Sequence, residues 1–234
     1  MSAPTAEHER LIDLVEGAAR ELEDAPALQI LQWAAAEFGT AWCVASSMAD
    51  AVVPHLAARA MPGVDVVFLD TGYHFAETIG TRDAVAATMP VTVKTIAPGL
   101  SVAEQDAQYG KDLFARRPDQ CCALRKVAPL ADALLPYFAW ASGLRRDESP
   151  TRADAGVVEW DAKRGLVKLN PIARWTQDDV DAYIAEHGIL VNPLLADGYA
   201  SVGCAPCTRR VAPGEDARAG RWAGFDKTEC GLHV

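Results

Sequence analysis

No apolar run in this sequence approaches the ~18–20 residues that a membrane-spanning helix needs, so no membrane association is expected. Basic residues are scarce: 22 Lys and Arg stand against 32 Asp and Glu, a formal charge of −10. A protein that binds nucleic acid in general needs a broad basic face, and this balance argues against one. A small anionic ligand fits such a chain only where basic side chains are locally concentrated. Nothing repeats at a fixed period and no segment is low in complexity. The opening stretch MSAPTAEHERLIDLVEG is acidic and helical in pattern, unlike a signal peptide. A cytoplasmic location is therefore expected, where thiols stay reduced.

What is present is apolar residue in quantity. Half of the 234 residues are hydrophobic, enough for one sizeable core with an appended element. Residues 7–37 carry two helical patterns broken near Asp24-Ala25-Pro26. The runs TAWCVASS (40–47), VDVVFLDTG (64–72), VTVKTIA (91–97) and YFAWASGLRRDES (137–149) then read as strands leading into polar or basic loops. Helical patterns separate them at 48–61, 74–89 and 122–135. VVEWDAKRGLVKLNP (157–171) reads as a hairpin on the sheet edge. Residues 176–188 form a capped helix opened by Thr176 and closed by Gly188. Strands alternating with helices predict an α/β fold, a parallel sheet with helices on both faces. Its ligand would lie beyond the carboxyl ends of the strands, at Ser46-Ser47, Asp70-Thr71-Gly72 and Ser142 to Arg146. Composition shifts near residue 200 toward Gly, Pro and Arg. The expected division is a nucleotide-binding domain with amino-terminal helices over 1–200 and a cysteine-bearing extension over 201–234.

The six cysteines are Cys43, Cys121, Cys122, Cys204, Cys207 and Cys230. Close pairs in a reducing compartment read as metal-binding or redox-active. The two-residue gap between Cys204 and Cys207 suits a redox pair, half a zinc site or half an iron–sulfur site. A redox pair belongs at the head of a helix after an early strand, whereas this one comes after a glycine-containing loop late in the chain. Adjacent Cys121-Cys122 would need strained backbone to bind a single zinc ion, and structural zinc sites leave two to four residues between ligands. A cubane offers each neighbour its own iron, so the spacing favours one [4Fe–4S] cluster held by Cys121, Cys122, Cys204 and Cys207. The alternative is that Cys121 and Cys122 are small buried hydrophobes. Cys43 lies in a core strand and reads as structural. Cys230, near the end of the chain, is either an incidental surface thiol or a nucleophile, with Gly231 giving freedom and His233 able to tune it.

Several motifs together resemble one family. CCALRKVAPL, LDTGYHF, GLRRDES, GCAPCT, RAGRW and ECGLH occur in this order in assimilatory adenosine 5′-phosphosulfate (APS) reductases. SSMAD and GYHFAETIGTRDA make the sequence most similar to their actinobacterial branch. The resemblance runs from about residue 40 to the end. It implies an adenine nucleotide alpha-hydrolase-like fold and a role in sulfate assimilation and cysteine biosynthesis. The implied reaction has Cys230 attack the sulfur of APS, releasing AMP and leaving an S-sulfonate, after which thioredoxin or a similar dithiol protein frees sulfite. Basic groups would neutralise the anionic substrate: Lys126 one helical turn past Cys122, Arg145 and Arg146 at a strand end, and Arg218 and Arg221 before the tail. Ser46, Ser47 and Asp50 stand where the family holds phosphate, although Met48-Ala49 departs from its usual loop. Leu69, Thr71, Gly72 and Gly143 are assigned to the nucleotide, and Asp70 either joins them or caps the next helix. The cluster would act electrostatically and structurally, through Lys126.

Three competing readings make different demands. An ATP-cleaving thiolation enzyme would carry a fuller SGGxDS-type loop after the first strand. A non-enzymatic iron–sulfur or zinc protein would need neither Cys230 nor His233. A 3′-phospho-APS (PAPS) reductase, or an enzyme of dual specificity, typically lacks the four cluster cysteines. Homo-oligomerisation is compatible with the sequence.

Overall fold

The computed structural model describes residues 6–225, 227 and 229–232. Two helices, α1 (Ala6–Leu22) and α2 (Ala27–Phe38), precede β1 (Trp42–Ala45). Alternation then begins: α3 (Val52–Ala60), β2 (Asp65–Leu69), α4 (Ala76–Thr88) and β3 (Thr92–Ile96). Helices α5 (Val102–Tyr109), α6 (Leu113–Arg116) and α7 (Pro118–Cys122) run into a π-helical turn over Ala123–Val127 and then α8 (Ala128–Leu134). The remaining elements are β4 (Ala139–Ser142), β5 (Val158–Asp161), β6 (Leu166–Leu169) and α9 (Gln177–His187). Pro54 is tolerated because it falls in the first turn of α3, where its missing N–H is not required. α9 opens with a capping box between Thr176 and Asp179 and closes on Gly188 at φ 60°, as its sequence signals demand. No helix among the described residues is long and apolar enough to cross a membrane.

The strands form one six-stranded sheet in the order β3-β2-β1-β4-β6-β5. All pairings are parallel except β5 with β6, the antiparallel edge hairpin. Side chains alternate across the sheet. Trp42, Val44, Val66, Phe68, Ala139 and Ala141 enter the core shared with α1, α2 and α3. Cys43, Val67 and Trp140 face the other way, onto Leu130 and Leu134 of α8. Both faces are covered, which is why these strands read as continuous apolar runs.

The chain leaves β1 toward β2 and β3, then returns to place β4 on the opposite side of β1. The strand order therefore reverses between β1 and β4. Outside the carboxyl ends of such a pair a crevice opens, because the two connections depart in opposite directions.

Candidate active site

A cavity of about 650 Å³ occupies that crevice. Its floor is the end of β1 with the loop after it, Ser46, Ser47 and Asp50, and the end of β4 with Gly143 and Arg145; Leu69 closes the β2 side. The loop after β1 turns tightly. Ser46 Oγ accepts from the Met48 amide at 3.2 Å, and Met48 takes a φ of 59°, rare for a side chain of this size. Asn192 braces the turn by donating to Met48 O at 3.1 Å and to Thr78 Oγ1 at 3.0 Å. Asp50 Oδ1 accepts from Val52 N at 2.9 Å at the start of α3, and burial pushes its carboxyl pKa up.

The other wall comes from the π-helical turn. Hydrogen bonding from i to i+5 widens one turn and shifts the angular phase of the residues beyond it, a feature frequent at functional sites. Arg125, 3 % exposed, is drawn inward, donating to Thr71 O at 2.5 Å, Gln105 Oε1 at 3.1 Å and Leu100 O at 3.2 Å. Lys126, the next residue, also enters the interior. A second, much smaller cavity is lined by Cys121, Cys122, Cys204 and Cys207, and Lys126 lines both cavities. Burial opposes the Lys126 charge, but the thiols of Cys204 and Cys230 favour it and hold its pKa above the ordinary lysine value.

The four thiols of the small cavity are mutually inhibitory. Burial first and neighbouring thiols second push Cys121 up to about 12, and the same causes push Cys207 up to about 11. Cys204 is the exception. Burial opposes its ionisation, but Lys126 and the Thr71 hydroxyl, 3.3 Å from Sγ, carry its pKa below the ordinary thiol value. Four thiolates can share this cavity only against positive charge, and such a donor set fits an iron–sulfur cluster as it fits zinc. Among the described residues, no group of three or more His, Cys, Asp or Glu side chains forms a site for a metal ion.

The extension closes the crevice from above. Residues 205–207 form a short turn whose first amide donates to Tyr73 O at 2.7 Å. Thr208 and Arg221 pair as an isolated antiparallel bridge. Arg221 lies flat on Gly203, with its guanidinium 4.5 Å from the Trp222 ring centre. It donates toward Val202 O at 3.3 Å, and its buried Nε has no hydrogen-bond partner among the described residues. Arg218, Arg221, Glu229, Cys230 and Leu232 all line the large cavity.

Thus Ser46, Ser47, Asp50, Leu69, Lys126, Gly143, Arg145, Arg218, Arg221 and Cys230 converge on one cavity. Three expected residues do not join them. The Thr71 hydroxyl turns to Cys204, and an added Cβ at Gly72 would meet Arg125 at 3.1 Å, so both serve the thiol side. Arg146 is drawn away by Glu23 at 2.8 Å and Ala155 O at 2.7 Å. Asp70 neither lines the cavity nor caps α4: Oδ1 accepts from Gly72 N at 3.0 Å within the turn, and Oδ2 lies 3.9 Å from Arg82 Nη1. His233 lies outside the described residues. Cys43 is fully buried, and burial raises its thiol pKa. The structure adds His74, which lines the cavity with Nδ1 unpartnered among the described residues while Nε2 meets Leu69 O at 2.8 Å. It also adds Arg152 and Glu229, whose long-range pairing leaves no mark in local sequence.

The fold is an α/β, adenine nucleotide alpha-hydrolase-like one, and its crevice holds a cavity lined in part by a cysteine-bearing carboxyl-terminal segment. The chain belongs to the phosphoadenosine phosphosulfate reductase family, whose domain model matches residues 40–210. It is 70% identical over 96% of its length to an adenosine 5′-phosphosulfate reductase of Streptomyces coelicolor, covering 95% of that protein. With a protein of the same name from Mycolicibacterium smegmatis the identity is 57%, over 98% of both chains. Among solved structures, the phosphate complex of phosphoadenylyl-sulfate (PAPS) reductase from Candida auris matches with a TM-score of 0.70 and 25% identity, covering 89% of this chain and 99% of that one. FMN adenylyltransferase of Candida glabrata, at 12% identity and a TM-score of 0.56 over 89% of this chain and 69% of that one, shares the fold.

Proposed function

We propose that this reductase acts on adenosine 5′-phosphosulfate, yielding sulfite and AMP with a dithiol protein of the thioredoxin type as reductant. One observation carries the reading: Cys230, Lys126, Arg218 and Arg221 line the same cavity as the loop after β1. The adenosine would sit against Leu69 and Gly143, with its phosphate toward Ser46, Ser47 and Asp50. The sulfate would face Lys126 and the arginines. The Cys230 thiolate attacks the sulfur; a sulfur–sulfur bond forms, the sulfur–oxygen bond breaks, and AMP leaves with the electron pair. Arg218, Arg221 and Lys126 stabilise the charge gathering on the leaving phosphate. In the second half-reaction a partner thiolate attacks Cys230 Sγ and sulfite departs. The second partner thiol then resolves the mixed disulfide and returns Cys230 to the thiol. His233 would orient the thiol.

Cys121, Cys122, Cys204 and Cys207 would hold one [4Fe–4S] cluster, their donor set being the one such clusters use. When bound it supplies charge and rigidity behind Lys126, while the two electrons come from thiols. The cluster cysteines favour APS over PAPS as substrate. Six free cysteines suit a reducing compartment, the cytoplasm.

The test is anaerobic incubation of the purified protein with labelled APS or PAPS and no reductant, followed by mass spectrometry. Added SO3 is expected on the Cys230 peptide with APS, removable by a dithiol, and Cys230→Ser should form no adduct and no sulfite. Sulfite production by Cys230→Ser would overturn the mechanism, and equal labelling by PAPS would overturn the substrate assignment.

A further inference from the structure

The loop after β1 holds a shape that its own residues disfavour. It contains no glycine, yet Met48, fully buried, takes a φ of 59°. A side chain of that size enters the left-handed region only where its surroundings over-determine it. The Ser46 hydroxyl, accepting from the Met48 amide, is one local hold. The others come from Asn192 and its neighbours, 144 residues beyond Met48 in sequence. Leu190 O accepts from Ala51 N at 2.9 Å, and Ala49 O accepts from Asn192 N at 2.9 Å. Between them Asp50 and Val191 pair as an isolated antiparallel bridge.

The Asn192 side chain, fully buried, completes the hold. Its Nδ2 donates to Met48 O at 3.1 Å and to Thr78 Oγ1, on α4, at 3.0 Å. Its Oδ1 accepts from Leu194 N at 3.1 Å. A side-chain amide has two N–H donors and one carbonyl, and all of them are used here. A backbone carbonyl on one side and a backbone N–H on the other leave the amide a single orientation. An aspartate of the same shape keeps the acceptor and loses the donors when ionised. Ser46, Ser47, Ala49 and Asp50 line the large cavity, whereas Met48, Thr78 and Asn192 do not. Asn192 can therefore act on a ligand only through the loop.

We propose that Asn192 is a positioning residue that locks Met48 in its left-handed turn and so sets Ser46, Ser47 and Asp50 in place for the nucleotide. The assignment rests on the reading of the loop after β1 as part of the nucleotide seat.

The experiment pairs two readouts on the holoprotein at pH 8. Amide hydrogen exchange of the peptide covering 46–52, without nucleotide, reads the loop alone. Calorimetric AMP affinity, with KM and kcat for APS, reads the seat. Asn192→Ala should speed exchange in that peptide and weaken AMP binding and raise KM by about tenfold, the scale of one or two lost buried hydrogen bonds, with kcat little changed. Asn192→Asp should be at least as impaired, because it keeps only the bond to Leu194 N. If Asn192→Asp instead behaves as the parent protein, the residue serves merely to cap the turn at Pro193–Leu195 and the proposal is wrong. Exchange that rises equally in β1, β2 and β4 would mark a general core residue and overturn it as well. Should Asn192→Ala fail to fold, Asn192→Asp alone decides. Unchanged loop exchange overturns the positioning role and leaves the nucleotide seat standing. A loosened loop with unchanged AMP affinity overturns the reading of the seat, and the positioning role falls with it.

Discussion

One added methyl group should disable the proposed anion site by displacing a single guanidinium. A Cβ at Gly203 would lie 2.2 Å from Arg221 Nη2 and 2.4 Å from its Cζ, well inside the ~3.5–4.0 Å of ordinary contact between unbonded heavy atoms. Gly203 is not among the residues with positive φ, so alanine meets no backbone penalty and the clash alone is tested. The guanidinium must leave its seat between Gly203 and Trp222. The stability cost is the lost cation–π contact, roughly 0.5–2 kcal/mol. The catalytic cost is larger, because removing one preorganised charge contact typically costs ~2.7–4 kcal/mol of barrier, or about 10²–10³ in rate. Single-turnover S-sulfonation with labelled APS, paired with thermal melts, separates the two. Gly203→Ala should fall by about the same factor as Arg221→Ala, and the double variant should be no slower than either. A Gly203→Ala protein at the parental rate, beside a slow Arg221→Ala, would refute the claim that glycine is there to admit the guanidinium.

Lys126→Met, which keeps the length and loses the charge, should slow S-sulfonation by about 10²–10³ with the fold intact by circular dichroism; a parental rate would remove Lys126 from the site. Serine at Cys121, Cys122, Cys204 or Cys207 should abolish visible absorbance and most activity, against about four iron and four sulfide per chain in the parent protein; stoichiometric zinc without absorbance would refute the cluster. Cys43 should resist iodoacetamide in the native protein at pH 8 and react only on unfolding. Its pKa is raised by burial, so the neutral thiol persists as pH rises through the ordinary thiol value; rapid native labelling would contradict that burial.

Legibility in the sequence tracks the range of the forces involved. Strands β1, β2 and β4 are readable because burial on both faces makes them continuous apolar runs, and α9 because its cap is local chemistry between Thr176 and Asp179. The convergence of Lys126, Arg218 and Arg221 is legible from their place beside cysteine motifs. Residues 98–117 give no clear helical pattern, although Ser101 and Glu104 form a capping box at the head of α5; α5 is short and weakly patterned. Thr71 and Arg146 mislead because position after a strand tells where a loop begins and not which way a side chain turns. Arg146 turns toward Glu23, a partner more than a hundred residues away in sequence. Arg152 and Glu229 are invisible for the same reason.

The π-helical turn has a consequence for how this protein can vary. An extra residue in one turn decouples the angular phase of the helix before it from that of the helix after. Cys121 and Cys122 stand before the turn, while Leu130 and Leu134 stand after it against the sheet. In an unbroken α-helix, rotating one set would rotate the other, so any change in sheet packing would re-aim the thiols. Here the turn works as a universal joint. Substitutions at Leu130 or Leu134 can let α8 settle on the sheet without dragging the cysteines with it. Deleting a single residue between 123 and 127 would weld the two halves into one rigid rod and force a choice between core and thiol cavity.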